Sequence, residues 1–273
     1  MKAEPKLAPI ICISAELPSG DHSEEILDSQ MYKKFLHGKR DSYGRVSAER
    51  FNVDLWRGKN TGHIFTDAGS FLKDISMFDY LEFGIYPKDA KALAVSTRRL
   101  IKTRSLRYGT PVFSIVGILN IGSYMSAVAH DILSVGRGEH APTDAAGSFT
   151  RAYTMVANKV AYHLDLCGPS LPVDTACNST ATATHLAVQT IRAGECEAAV
   201  LGGYQVNSRF VSIVQNFFVQ LEGGVLAHDG LCKPFDAGAN SSSRGEGYTM
   251  AISDGDHIHG PVCPLMVYTA TWY

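Results

Sequence analysis

The residues best suited to covalent chemistry lie in Leu171-Pro-Val-Asp-Thr-Ala-Cys177-Asn-Ser-Thr180. The spacing predicts a short buried strand over 171–175, a tight turn, and a helix over 177–193 that Gly194 closes. Asn178, Ser179 and Thr180 carry side-chain oxygens that can satisfy amide donors of a first helical turn. A thiol at a helix N-terminus faces the positive end of the dipole and several N–H groups. Both favour the thiolate, the nucleophilic form. The same N–H groups can stabilise the oxyanion that forms when a thiolate attacks a thioester carbonyl. A small buried hydrophobe is the competing role for any one cysteine.

The other reactive types offer less. Cys12, Cys167, Cys196, Cys232 and Cys263 form no C-x-x-C pair and, with Cys177, no disulfide framework, so all six read as reduced thiols of a cytoplasmic protein. His185 is eight positions along the predicted helix, roughly 12 Å of rise from Cys177 and too far for direct proton transfer. His163 is expected to cap or pack. His257 and His259 have the spacing of metal ligands on a strand, but no third ligand matches them, so no metal site is expected. Arg98, Arg99 and Lys102, near the end of a predicted helix over 88–102, read as a solvated basic face.

These candidates need a scaffold, and 273 residues with 45% hydrophobic and 19% charged content can bury a real core. A net charge of −2 provides no field for nucleic acid, and no apolar run reaches the length of a membrane helix. Residues 7–15 (LAPIICISA) read as a buried first strand, not an export signal, because the run is short and holds Pro9. Helices are predicted over 24–37, 88–102, 152–164 and 207–219. Strands are predicted over 10–14, within 111–119 and 121–125, and over 171–175, 197–202, 248–253 and 262–268. Residues 38–87 read as an irregular excursion pinned by Phe51, Phe65, Phe71, Phe78 and Phe83. Strands alternating with helices predict an α/β fold with a mostly parallel sheet covered on both faces. Within the predicted nucleophile helix, Ala183, Leu186, Ala187 and Ile191 form the expected packed face.

Val173-Asp-Thr-Ala-Cys177-Asn-Ser resembles the active-site stretch of β-ketoacyl synthases, in which a D-T-A-C-S-S type sequence presents the nucleophilic cysteine. Further segments match in the same order. Phe71-Leu-Lys-Asp-Ile-Ser-Met-Phe-Asp-Tyr80 with Lys88-Asp-Ala90 resembles the early segment of polyketide-synthase members. Residues 156–170, ending in Gly168-Pro-Ser170, resemble the approach to the active site, and residues 186–203 the nucleophile helix and next strand. Asp229-Gly-Leu-Cys-Lys-Pro-Phe-Asp-Ala237 and Arg244-Gly-Glu-Gly247 resemble the downstream loop and strand start. The chain thus resembles the N-terminal half of a fungal-type polyketide-synthase ketosynthase. Residues 8–262 would form the β-ketoacyl synthase N-terminal domain and 263–273 a divergent tail.

The resemblance implies a thiolase-like fold, with this chain as the N-terminal half of a layered α-β-α-β-α ketosynthase. It implies that Cys177 is the catalytic nucleophile, accepting an acyl group from an acyl-carrier protein for decarboxylative condensation with a malonyl-type extender in polyketide or fatty acid biosynthesis. Its own N–H would be one oxyanion donor. No cofactor is implied beyond the phosphopantetheine that the carrier protein brings. The implied partners are that carrier protein and either the C-terminal ketosynthase half or a homodimer partner. The family's two catalytic histidines lie in its second half, and its H-G-T-G-T motif does not occur here. The family's M-D-P-Q-Q-R reads Leu93-Ala-Val-Ser-Thr-Arg98, and its A-D-G reads Ala239-Asn-Ser241. The alternatives are a non-catalytic remnant or interaction subunit and a cysteine hydrolase, for which no Cys/His/Asn pattern is found.

Overall fold

The computed structural model describes residues 8, 10–20, 25–27, 29–48, 50, 52, 54, 66–103, 120–126, 152–207 and 224–254. In chain order the elements are β1 (Ile10–Glu16), α1 (Ser29–His37), β2 (Gly44–Arg45), β3 (Ala68–Ser70), α2 (Pro87–Ala92), α3 (Val95–Thr103) and β4 (Ile121–Ser126). They are followed by α4 (Met155–Leu164), β5 (Ser170–Val173), α5 (Ser179–Ala193), β6 (Ala198–Gln205), β7 (Arg244–Gly245) and β8 (Gly247–Asp254). The expected strands in 111–119 and 262–268, the helix after Asn207, His257, His259, Cys263 and the tail lie outside the described residues.

Strand alternation builds the centre. On β4, Ile121 and Met125 join the cluster formed with α3 and α4, and the Ser123 hydroxyl donates to the Ala157 carbonyl at 3.3 Å. Tyr124 points the other way, among Ala183, Ala187 and Ile191 of α5. On β6, Val200 and Tyr204 serve the first cluster and Ala199 and Leu201 the second. The sheet is therefore covered on both faces, as the element order predicts. Its order is β1-β8-β6-β4-β5. Strands β6, β4 and β5 are parallel, but β8 is antiparallel to both β6 and β1. The sheet is mixed rather than mostly parallel, because β8 returns beside β6 in the opposite direction. By the same geometry β1 runs with β6, so the carboxyl ends of β1, β6, β4 and β5 share one rim.

Several boundaries move for identifiable reasons. The helix predicted over 24–37 begins at Ser29, since Ile26 is held in a bridge to Leu17. The helix over 88–102 is two helices, broken where Leu93 adopts an extended conformation (φ −66°, ψ 138°). The excursion over 38–87 contributes a small second sheet, β2-β3-β7, and Phe78 stacks on Phe83 with ring centres 5.3 Å apart against the main core.

The expected basic face on α3 is corrected most sharply. Arg99 is buried, because its guanidinium meets the fully buried Glu16 carboxylate of β1 at 2.5 Å and donates to the carbonyls of Lys73, Asp74 and Ile75. Lys102 reaches the same Glu16 oxygen at 3.1 Å, and Arg98 donates to the Ser76 carbonyl at 3.3 Å. A second buried carboxylate, Glu246, accepts the Arg50 guanidinium at 2.7 Å and the N–H groups of Leu72 at 2.9 Å and Asn207 at 2.8 Å. It ties the exit of β6 to the small sheet.

Candidate active site

Cys177 lies on the rim just beyond β5, in a turn that the chain makes before α5 begins. β5 ends at Val173 and α5 starts at Ser179, so Cys177 precedes the first helical turn instead of opening it. The reason is local. Ala176 has φ 55°, the left-handed region, which cannot continue into a right-handed helix. Such a conformation costs an alanine about 1–2 kcal/mol.

Hydrogen bonds hold the turn against that cost. The Ala176 N–H donates to Asp174 Oδ1 at 3.1 Å. The Ser179 hydroxyl accepts the Thr175 N–H at 2.8 Å and donates to the Ala176 carbonyl at 2.6 Å. The amides of Asn178 and Ser179 also turn back, donating to the carbonyls of Thr175 at 3.4 Å and Ala176 at 3.1 Å. The small polar residues thus do not cap the helix as expected. Asn178, the N-cap, makes no side-chain cap bond and donates through Nδ2 to Thr182 Oγ1 at 3.4 Å. Thr180 pairs with Ser126 at the end of β4, hydroxyl to hydroxyl, at 2.8 Å.

That pairing depends on Gly203. A Cβ there would sit 2.6 Å from Ser126 Oγ and 2.7 Å from Thr180 Oγ1, so only glycine lets the start of α5 settle against β6. Ser126, Gly203 and the turn-directed role of Ser179 were not singled out from sequence. The adjacent glycines 202 and 203 inside an apolar strand were the available signal. The buried stripe of α5 is Ser179, Ala183, Ala187 and Ile191, at strict four-residue spacing. Leu186, expected on that stripe, is instead 38% exposed, and His185 is exposed beside it.

Among the described cysteines, Cys167 and Cys177 are exposed, Cys232 is half-buried and Cys196 is buried. Burial pushes the Cys196 thiol up, which suits a packing role. His163 is half-buried, packs edge-on to Tyr162 with ring centres 5.1 Å apart, and is pushed down by burial and then by Lys159. Beside the turn, burial and the Asp174 carboxylate push Tyr153 up to about 12, so it stays a neutral phenol. No group of three His, Cys, Asp or Glu residues able to hold a metal occurs among the described residues. No helix of the described residues is long and apolar enough to cross a membrane.

An exposed thiol in a braced turn between a parallel strand and a helix fits covalent acyl transfer. The comparisons place the chain in a family. The family described as beta-ketoacyl synthase, N-terminal domain, matches residues 9–252. The chain belongs to the β-ketoacyl synthase family. It is 41% identical over 267 residues to the highly reducing polyketide synthase stpks1 of Strobilurus tenacellus, covering 94% of this chain and 9% of that protein. It is 34% identical over 227 residues to the highly reducing polyketide synthase cnsI of Penicillium expansum, covering 80% of this chain and again 9% of the relative. Among solved structures it resembles the oxazolomycin ketosynthase domain OzmH KS7 of Streptomyces albus JA3453, with a TM-score of 0.77 and 26% identity. That match covers 90% of this chain and 43% of the domain. The β-ketoacyl synthase chain therefore has the thiolase-like ketosynthase fold over less than half the length of that solved domain, and spans about a tenth of each of these two polyketide synthases.

Proposed function

We propose that this β-ketoacyl synthase chain accepts an acyl group on Cys177 from an acyl-carrier protein during polyketide extension. The thiolate attacks the carbonyl of the carrier-bound thioester, the oxyanion collapses, and the phosphopantetheine thiolate leaves and takes up a proton. The Cys177 thioester then receives the carbanion that a malonyl-type extender forms on losing carbon dioxide, and the β-ketoacyl product departs on the extender's carrier. The observation that carries this reading is the exposed Cys177 in its braced turn, within Val173-Asp-Thr-Ala-Cys177.

Condensation requires more than Cys177. In the family two histidines polarise the extender thioester, and H-G-T-G-T does not occur within these 273 residues. The proposed partners are the carrier protein, to deliver the acyl group, and the remainder of a ketosynthase domain or a second copy of the chain. The solvent-facing side of α5, with His185 and Leu186, supports such a partner. A non-catalytic interaction subunit is the second reading.

The test is to offer acyl-carrier protein and acyl-CoA at matched concentration and map adducts by mass spectrometry, with C177A as control. The expected result is a thioester on Cys177, formed faster from the carrier protein. No adduct, or one on another cysteine, overturns the reading in favour of the interaction subunit.

A further inference from the structure

Ser179 directs its hydroxyl into the turn that precedes α5. The residue is 5% exposed, and its side chain reaches backwards, out of the helix it begins. One hydroxyl accepts from the amide before Ala176 and donates to the carbonyl of Ala176 itself, at 2.8 and 2.6 Å. The two bonds bracket the residue that holds the left-handed φ of 55°. A methyl group at 179 could make neither bond, and an alanine at 176 has no intrinsic preference for that conformation.

We propose that Ser179 is a positioning residue. Its hydroxyl fixes Ala176 in the left-handed conformation and thereby sets the direction in which the Cys177 thiol meets an incoming thioester. This rests on the reading of Cys177 as the acyl acceptor. The role is geometric: no proton passes through Ser179, whose donor and acceptor are both committed to backbone. Alkylation by iodoacetamide builds no oxyanion and should therefore be nearly indifferent to Ser179. A thioester, whose carbonyl oxygen must also meet a donor as the thiolate attacks, should not.

The experiment uses the full chain with two probes, a short acyl N-acetylcysteamine thioester and iodoacetamide, with buried Cys196 as an internal report on folding. The S179A variant should acylate Cys177 about ten- to a hundredfold more slowly, the scale of loss when a reacting group is misplaced by about 1 Å. Its alkylation by iodoacetamide, which needs no oxyanion donor, should stay within about threefold of the parent. The double variant A176G/S179A should recover acylation to within about threefold of A176G, because glycine adopts the left-handed conformation without help. Equal acylation of S179A and the parent overturns the proposal, as does a double variant that remains slow. If S179A opens the fold and labels Cys196, the comparison of A176G with A176G/S179A decides by the same criterion. A parent protein that alkylates at Cys177 but never acylates there overturns the underlying function, a result distinct from either outcome for Ser179.

Discussion

Two clamps share the carboxyl rim of the sheet and are built from opposite materials. On the β4–β5 side the Cys177 turn is braced mainly by neutral hydroxyls, with Ser179 to backbone, Thr180 to Ser126 and Thr175 to Thr182, at 2.6–3.0 Å. On the β1–β8 side the contacts are ionic and buried: Glu16 with Arg99 and Lys102, and Glu246 with Arg50. A full charge fixed beside a thiol would change its proton affinity, whereas a hydroxyl pair orients it with little field. The rim keeps its buried ion pairs away from the Cys177 turn and braces that turn mainly with hydroxyls. Asp174, which accepts the Ala176 amide from an exposed position, is the carboxylate nearest the turn in sequence.

The sharpest way to break that contrast is to remove one charge from the ionic side. R99M leaves the fully buried Glu16 with the partly exposed Lys102 as its remaining cationic partner, and should cost about 3–5 kcal/mol of unfolding free energy in chemical denaturation. The pair E16L/R99M should recover most of the loss. A single-variant loss below about 1 kcal/mol would place the ion pair among solvent-screened surface contacts.

On the neutral side the expected loss is smaller. G203A drives a methyl into the Ser126–Thr180 pair and should cost about 1–3 kcal/mol, partly relieved by adding S126A. Full additivity of the two variants would show that the crowding lies elsewhere.

The smallest effect is a pH dependence on the ionic side. Burial, then a hydrogen bond to Glu16 and the charge of Glu16, push Glu25 from 4.5 up to about 7, against the Lys73 amide and the Arg99 charge. With its folded-state pKa above its unfolded one, Glu25 stabilises the fold fully below about 4.5. That contribution is lost as pH rises toward about 7. The thermal midpoint of the parent should therefore fall relative to E25Q between pH 5 and 7.5, values on the order of that window. A midpoint difference that stays constant across the range would refute the assignment.

Much of the neutral side was legible in the sequence. The apolar runs around 121–125 and 197–202, and the Ala/Thr-rich segment closed by Gly194, gave the two parallel strands and the helix that flank the turn. Cys177 stood out because its neighbours are small and polar. The left-handed Ala176 was hidden, since alanine carries no signal for that conformation and only the Ser179 and Asp174 bonds select it. The ionic side was almost illegible. Arg99 reads as surface by type, and its burial depends on Glu16, eighty-three residues earlier. The direction of β8 was hidden for a similar reason, because period-two alternation marks a strand without saying which way it runs.

The pairing of β1 with β8 also orders events in time. Ile10 meets Ser253, so the first strand has no partner until nearly the whole described chain has been made. The unit from β4 to β6, residues 121–205, closes over far shorter separations and can assemble while β8 is still inside the ribosome. The turn that carries Cys177 belongs to this early unit. The Glu16–Arg99 pair waits for β8 to pair with β1. A nascent chain would thus hold a formed thiol turn beside an open β6 edge, where a chaperone or another strand could bind before β8 arrives.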